Sequence, residues 1–260
     1  MDIISAIFLG LIQGFTEWLP ISSSGHLVIA QALFGIDAPA EFDIVIMAGT
    51  TLALLIYFRQ KIISLFFGLL KFDKPSVNYL MFMAIAGVPT ALIGFPGRGF
   101  FKGLFSSPLA VCLFIVLTGV FLFFVSRKKP EKQQDLNSGR AALIGLAQGI
   151  AIAPGISRSG STIGTGILLG LAPKDAAEFS FLIGAPAMAV ASLLEFSGSV
   201  PASSELPAFA LGTIAAFIAG YISIGFFMKI LQENKLHFFA YYCMGAGIIF
   251  ALLTILMNKA

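Results

Sequence analysis

Residues 44–58, 110–125 and 238–257 of this 260-residue chain are almost unbroken apolar runs. A helix needs roughly 20 such residues to cross the hydrocarbon core of a bilayer. Inside that core a helix satisfies its own backbone polar groups. Composition agrees, with 58% hydrophobic and 11% charged residues and a mean hydropathy of +0.95. A soluble domain carries about 25% charged residues, so this chain has too little charge to cover a water-facing surface. The expected fold class is an all-α polytopic membrane protein. The 27 phenylalanines suit lipid-facing bulk and the 27 glycines suit close helix packing.

The net charge of +3 reads as basic cytoplasmic loops, with no nucleic-acid partner expected. Cys112 and Cys243 both lie inside apolar runs and read as small apolar residues, not as a disulfide or metal pair. Met1, Asp2, Ile3 and Ile4 lack a basic n-region and a small-residue cleavage site, so no signal peptide is expected.

The chain repeats itself. The run Gly10-Leu-Ile-Gln13-Gly14 matches Gly145-Leu-Ala-Gln148-Gly149. In the same register Ile21-Ser22-Ser23-Ser24-Gly25 matches Ile156-Ser157-Arg158-Ser159-Gly160, and Ala40-Glu41-Phe42 later matches Ala177-Glu178-Phe179. Three matches at a nearly constant offset indicate an internal duplication within one membrane domain. Repeat 1 covers about residues 1–128 and repeat 2 about 139–260, with the basic loop 127–140 between them.

Each repeat opens with an apolar segment broken by Pro, Ser and Gly, at 3–35 and 141–171. The two arms of each are too short to span. Three longer segments follow in each repeat: 40–58, 79–95 and 108–125, then 174–196, 207–230 and 238–257. Basic residues orient them. Arg59, Lys61, Lys71 and Lys74 share one loop, Arg127, Lys128, Lys129, Lys132 and Arg140 another, and Lys229 and Lys235 mark a third. All three fall on one side, expected to be cytoplasmic, which puts both termini outside. The opposite loops are expected to hold only Arg98, Lys102 and Lys259, and 62–70 reads as an interfacial helix. Three spans per half is an odd number, so the second half is expected to be inverted. Two re-entrant hairpins, one from each face, would then meet at mid-membrane with helix N-termini aimed at an anion.

Glu17, His26 and Arg158 are the ionisable residues inside apolar segments that belong to no loop, and all three lie in the broken hairpins. Such residues are expensive in lipid and mark functional sites. A buried Glu17–Arg158 pair that only locks the hairpins together is the plain structural reading. The hydroxyls around them exceed what a helix cap needs. Ser157-Arg158-Ser159-Gly160-Ser161-Thr162 offers donors and a planar guanidinium suited to phosphate oxygens, and Gly155 and Gly160 allow close backbone approach. In the other hairpin Ser22, Ser23, Ser24, Gly25 and His26 follow Glu17. With Ser24 as cap, His26 falls in the first helical turn, and a Ser, a His and a carboxylate would converge as an activated nucleophile or as a base for water. Gln13 shares the face of Glu17, one turn away. Glu41 and Glu178 read as helix-start carboxylates behind Asp37 and Asp175, and Asp43 reads as facing the cavity or completing a first turn. Trp18 is placed beside the pocket or near an interface, and His237 in a cytoplasmic turn.

These motifs resemble the undecaprenyl pyrophosphate phosphatases of the bacitracin-resistance type. Gln13 and Glu17 fit that family's Glu or Gln, three residues, then Glu. Leu19, Pro20, Ser22, Ser23, Gly25 and His26 fit its Leu-Pro-x-Ser-Ser-x-Gly-His. The segment from Pro154 to Thr162 fits Pro-Gly-x-Ser-Arg-Ser-x-x-Thr throughout. The resemblance covers nearly the whole chain. It implies a bacterial plasma-membrane hydrolase that converts undecaprenyl pyrophosphate to undecaprenyl phosphate and inorganic phosphate. Such an enzyme recycles the lipid carrier of peptidoglycan synthesis and confers bacitracin tolerance. It further implies a divalent cation, Mg2+ or Ca2+, for which Glu17 is a candidate ligand. Gln13 departs from the Glu common at its position and cannot serve as a base or charged ligand.

The expected roles are therefore catalytic for Glu17, Ser23, His26 and Arg158. Substrate binding is expected of Gln13, Ser22, Ser24, Gly25, Gly155, Ser157, Ser159, Gly160 and Thr162. Ser23 attack with His26 as base and direct attack by water both remain open. Partners are a polyprenyl pyrophosphate lipid and membrane lipids, with a second copy of the chain as a candidate. A transporter or flippase of a lipid phosphate is the alternative, because it shares inverted repeats and broken helices. It would need Arg158 and the serines but not a carboxylate–His pair beside a Ser.

Overall fold

A computed structural model of the chain describes residues 1–128, 133–195, 202–233 and 235–257. Lys129, Lys132, Phe196 and Lys259 of the sequence reading lie outside the described residues. Among those described, the chain forms eleven helices and no strand. They are α1 (Ile3–Glu17), α2 (Ser23–Phe34), α3 (Ala40–Tyr57), α4 (Arg59–Leu70), α5 (Lys74–Leu104) and α6 (Pro108–Arg127) in the first half. The second half holds α7 (Ser138–Ile150), α8 (Arg158–Leu168), α9 (Pro173–Glu195), α10 (Leu206–Gln232) and α11 (His237–Met257).

Length sorts them by role. Six helices, α3, α5, α6, α9, α10 and α11, are long and apolar enough to cross a bilayer. The chain is a multi-pass membrane protein. The hairpin arms have only 15 and 12 residues in α1 and α2, and 13 and 11 in α7 and α8. At 1.5 Å per residue none reaches the ~30 Å of a hydrocarbon core. Large side chains such as Leu92, Phe124 and Leu193 lie outermost, while Trp18, Phe42, Phe179, Phe181 and Phe227 fill the interior. An apolar belt of this kind faces lipid, since no soluble monomer exposes so much contiguous apolar surface.

Two boundaries differ from expectation. Helix α5 runs for 31 residues and contains Pro89 and Pro96. Arg98 and Lys102 therefore sit on its last turns and not in a loop. Proline interrupts a membrane helix less than a soluble one, because neighbouring helices and hydroxyls take up the freed groups. Beside Pro89, the Thr90 hydroxyl contacts the carbonyls of Ala86 at 3.0 Å and of Gly145 on α7 at 2.9 Å, which ties this turn to its neighbour. The expected interfacial helix begins earlier than 62, at Arg59. It exposes Ile63, Phe66, Phe67 and Leu70.

The repeated Gly-Leu-x-Gln-Gly run is a packing face. Helix α1 lies against α10, and α7 lies against α5. A methyl group built at Gly10 would fall 2.1 Å from the Gly212 carbonyl oxygen, and one at Gly145 would fall 2.0 Å from that of Ala86. Only glycine permits either approach, as in the small-residue helix contacts of membrane proteins. Helices α3 and α9 also touch each other, as do α6 and α11. The first arm of each hairpin is thus seated by a long helix of the other half.

Candidate active site

Both hairpins turn on serine-capped helix starts. The turn after α1 is tight, with the Ile21 amide donating to the Leu19 carbonyl at 2.8 Å. Ser22, not Ser24, then caps α2, its hydroxyl accepting from the Gly25 amide at 3.3 Å. Ser22 does so at φ 69°, in the left-handed half of conformational space. A non-glycine residue held there costs about 1–3 kcal/mol and persists only when its surroundings over-determine it. In the second hairpin the positive φ falls on Gly155, at 95°, and Ser157 caps α8 with an ordinary φ of −69°. Thr118 of α6 braces that turn. Its hydroxyl donates to the Gly155 carbonyl and accepts from the Ser157 amide, each at 3.1 Å.

The two tips meet. Glu17 Oε1 pairs with Arg158 Nη2. The Ser159 hydroxyl donates to the Leu19 carbonyl at 2.9 Å. The carboxylate and guanidinium side chains are 8% and 15% exposed, so the pair is largely withdrawn from water. The other carboxylate oxygen of Glu17 accepts from Ser23 Oγ at 2.6 Å and from the Gln13 amide at 2.9 Å. Arg158 lies over the Trp18 ring at 5.0 Å, a cation–π contact. Trp18 is fully buried, anchored through Nε1 to the Thr50 carbonyl at 3.2 Å. It stands beside the site, as expected.

The plain structural reading of Glu17 and Arg158 is therefore part of the answer, because the pair does lock the hairpins. One atom exceeds that role. Arg158 Nη1 is buried and has no hydrogen-bond partner among the described residues. An unpaired buried donor on a cation is costly. A phosphate oxygen would satisfy it, and the starts of α2 and α8 bring two helix N-termini to the same junction.

Other site residues differ from expectation. His26 does not hydrogen-bond Ser23 or Glu17. Its Nδ1 lies 2.7 Å from the Ser22 carbonyl and its Nε2 lies 2.8 Å from the Tyr242 hydroxyl. A carbonyl can only accept, so Nδ1 carries the proton, and in the neutral ring Nε2 accepts from Tyr242. The two rings stack at 5.7 Å and 8°. The group paired with Ser23 is the carboxylate, not the imidazole.

Ser157, Ser159 and Thr162 do not stand as free donors for a ligand. Ser157 caps Gly160, Ser159 holds Leu19, and Thr162 bonds the Arg158 carbonyl at 2.8 Å and the Ser180 hydroxyl. Each is about 1% exposed. Buried hydroxyls complete their bonds within the protein, and these three position Arg158. Gly160 leaves room for Ser157 and Pro20, Gly25 for Ile115, and Gly155 for the Val111 carbonyl. Ser24 lies 3.4 Å from Ser22 Oγ and remains partly exposed, as does Ser23. Glu178 is no mere helix-start carboxylate, since it pairs with Lys61 of α4 at 2.7 Å. Asp43 lies 3.4 Å from the Gln31 amide.

Sequence reasoning missed four contributors. Gly184 on α9 faces the guanidinium, and a methyl group there would fall 1.6 Å from Arg158 Nη1. Met188, one turn on, accepts from Nη2 at 3.1 Å through its sulfur. Tyr242 and Thr118 are the others. None is charged, and each comes from a helix remote in sequence. Gly184, followed by Pro186 inside helix α9, was the available signal.

The donor set does not make a closed cage for a divalent cation. No group of three or more His, Cys, Asp and Glu side chains gathers among the described residues. Gln13 turns its amide nitrogen, not its oxygen, towards Glu17, so a Mg2+-like ion here would have Glu17 as its protein ligand and take the others from substrate phosphates and water.

The sequence model of the bacitracin resistance protein BacA family matches residues 6–249. The undecaprenyl-diphosphatase of Syntrophotalea carbinolica is 41% identical, over 97% of this chain and 99% of that protein. That of Methanosphaera stadtmanae is 34% identical over 99% and 100%, and that of Korarchaeum cryptofilum is 38% identical over 95% and 98%. The chain belongs to the bacitracin resistance protein BacA family.

Proposed function

We propose from this membership, and from the buried guanidinium with an unpaired nitrogen beside a Ser–Glu pair, that the chain is an integral membrane phosphatase. It hydrolyses undecaprenyl pyrophosphate to undecaprenyl phosphate and inorganic phosphate in the inner membrane. That reaction recycles the lipid carrier of peptidoglycan synthesis and removes the form that bacitracin sequesters. Arg158 binds the pyrophosphate, with Nη1 as its first contact and the N-termini of α2 and α8 adding favourable dipoles. Glu17 is the base. Its carboxylate accepts from Ser23 Oγ, so it activates either that hydroxyl or a water in the same place. His26 and Tyr242 form a second polar pair at the start of α2, where the ring takes up or returns a proton at Nε2. A divalent cation held by Glu17, with its other ligands from the phosphates and water, would neutralise charge on the phosphates.

The basic 59–74, 127–140 and 229–235 segments are read as cytoplasmic by their excess of Lys and Arg, which would leave both termini outside. The two hairpins then enter from opposite faces, and the reciprocal seating of α1 on α10 and α7 on α5 supports this inverted arrangement.

The test is phosphate release from undecaprenyl pyrophosphate by the detergent-purified protein, with and without Mg2+ or Ca2+. Arg158→Ala is expected to lower kcat by about a hundred- to a thousandfold, the usual effect of losing one preorganised charge-stabilising donor. No release by folded wild-type protein would sink the phosphatase reading. Phosphorylated Ser23 in quenched reactions would mark the covalent route, and its absence the water route.

A further inference from the structure

A groove of about 810 Å³ lies between the end of α1, the end of α10 and the start of α11. Its walls are aromatic: Phe15, Phe226, Phe238 and Phe239. Its far end carries Lys229, Lys235 and Glu233, the last two paired at 2.5 Å. At its inner end stand Leu19 and Ile21, which belong to the turn between Glu17 and Ser23, and Tyr242, whose hydroxyl bonds His26.

We propose that this groove is the seat of the prenyl chain of the lipid pyrophosphate, and that Tyr242 is where the chain meets the catalytic hairpin. The proposal rests on the phosphatase reading and adds to it a path for the apolar part of the substrate. Three features select a prenyl chain over ordinary membrane lipid. The inner wall is the same turn that carries Glu17 and Ser23, so a chain lying in the groove delivers its attached headgroup to that turn. Aromatic faces suit methyl-branched, unsaturated units spaced along a single chain, whereas a diacyl lipid presents two chains under one headgroup. Half-exposed Tyr242 offers its ring to the groove while its hydroxyl holds His26, so the occupant touches a residue of the site.

Two measurements test this. The first uses undecaprenyl pyrophosphate carrying a diazirine on its prenyl chain, with the full-length protein in phospholipid nanodiscs. Crosslinks are expected on Phe226, Ile230, Phe238 or Phe239, and excess unlabelled undecaprenyl pyrophosphate should suppress them. Crosslinks only on residues outside the groove lining, or labelling that only bulk phospholipid suppresses, would overturn the assignment. The second is Ile230→Trp, which fills the groove. The ratio of kcat/KM for undecaprenyl pyrophosphate to that for farnesyl pyrophosphate should fall at least about tenfold, matching a lost chain contact of 1–3 kcal/mol. An unchanged ratio with active protein would overturn it. Crosslinking does not require turnover. A wild-type protein that labels in the groove but releases no phosphate would therefore refute the phosphatase reading alone, and one that hydrolyses both substrates without groove labelling would refute the groove alone.

Discussion

The two hairpins share a scaffold and divide the chemistry. Each begins with a glycine-faced arm, turns, and starts its second arm from a serine cap, Ser22 or Ser157. In the register of the repeat Glu17 corresponds to Ile152, Ser23 to Arg158, and His26 to Ser161. One hairpin thus supplies an acceptor, a hydroxyl and an imidazole, and the other supplies a cation. Gln13 and Gln148 correspond as well, yet one donates to the Glu17 carboxylate and the other donates to Thr90 at 3.3 Å. Strain is also placed differently. The first hairpin puts the positive φ on Ser22, next to Ser23, and the second gives it to Gly155, where it costs little. Two hairpins of like build can therefore hold two unlike half-sites, because the build is fixed by glycine contacts and caps, and the charges sit at positions it does not need.

That division can be broken at matched positions. Glu17→Ala is expected to cost about a thousandfold or more in kcat. It removes the proposed base and leaves Arg158 buried without its partner, a destabilisation of about 3–5 kcal/mol. Ile152→Ala, at the corresponding place, should lower thermal stability and leave kcat nearly untouched. Equal losses of turnover in the two variants would mean that the halves are not specialised. Gly184→Ala comes next. The added methyl displaces the guanidinium, and a fall of about a hundredfold in kcat with an unchanged circular dichroism spectrum is expected. Tyr242→Phe removes one hydrogen bond to His26, and kcat should drop about three- to tenfold. The smallest effect separates the caps. Ser22→Gly relieves a positive φ at the loss of one cap bond and should raise stability by up to about 1 kcal/mol. Ser157→Gly relieves nothing and should lower it by a few tenths, with both read from thermal unfolding in detergent.

Much of this arrangement was legible in the sequence because membrane burial makes charge conspicuous. Glu17, His26 and Arg158 stood out as ionisable residues in apolar surroundings, and the structure brings the first and last together. The six spans and four short arms followed from run length and from Pro and Gly punctuation. Other features were hidden for physical reasons. The direction of the His26 ring depends on Tyr242, more than two hundred residues away and apolar on its face. Whether the Ser157, Ser159 and Thr162 hydroxyls meet a ligand or a backbone carbonyl depends on the turn that Thr118 braces. The 31-residue course of α5 through Pro89 and Pro96 reflects support from α7, which no local pattern announces.

The seating of α1 on α10 has a consequence for how the protein is made. Gly10 and Gly14 dock on residues from Gly212 to Gly220, so the groove for the first helix is the product of nearly the last part of the chain to leave the ribosome. At ordinary translation rates α1 waits about 10–40 s for its partner. Its counterpart in sequence, α7, finds α5 already synthesised. Glu17 must spend about 7–28 s of that interval without its cation, since Arg158 is made 141 residues later. The amino-terminal helix should therefore linger at the insertion machinery or in the headgroup layer and enter last, and a chain truncated before α10 should leave it open to proteases.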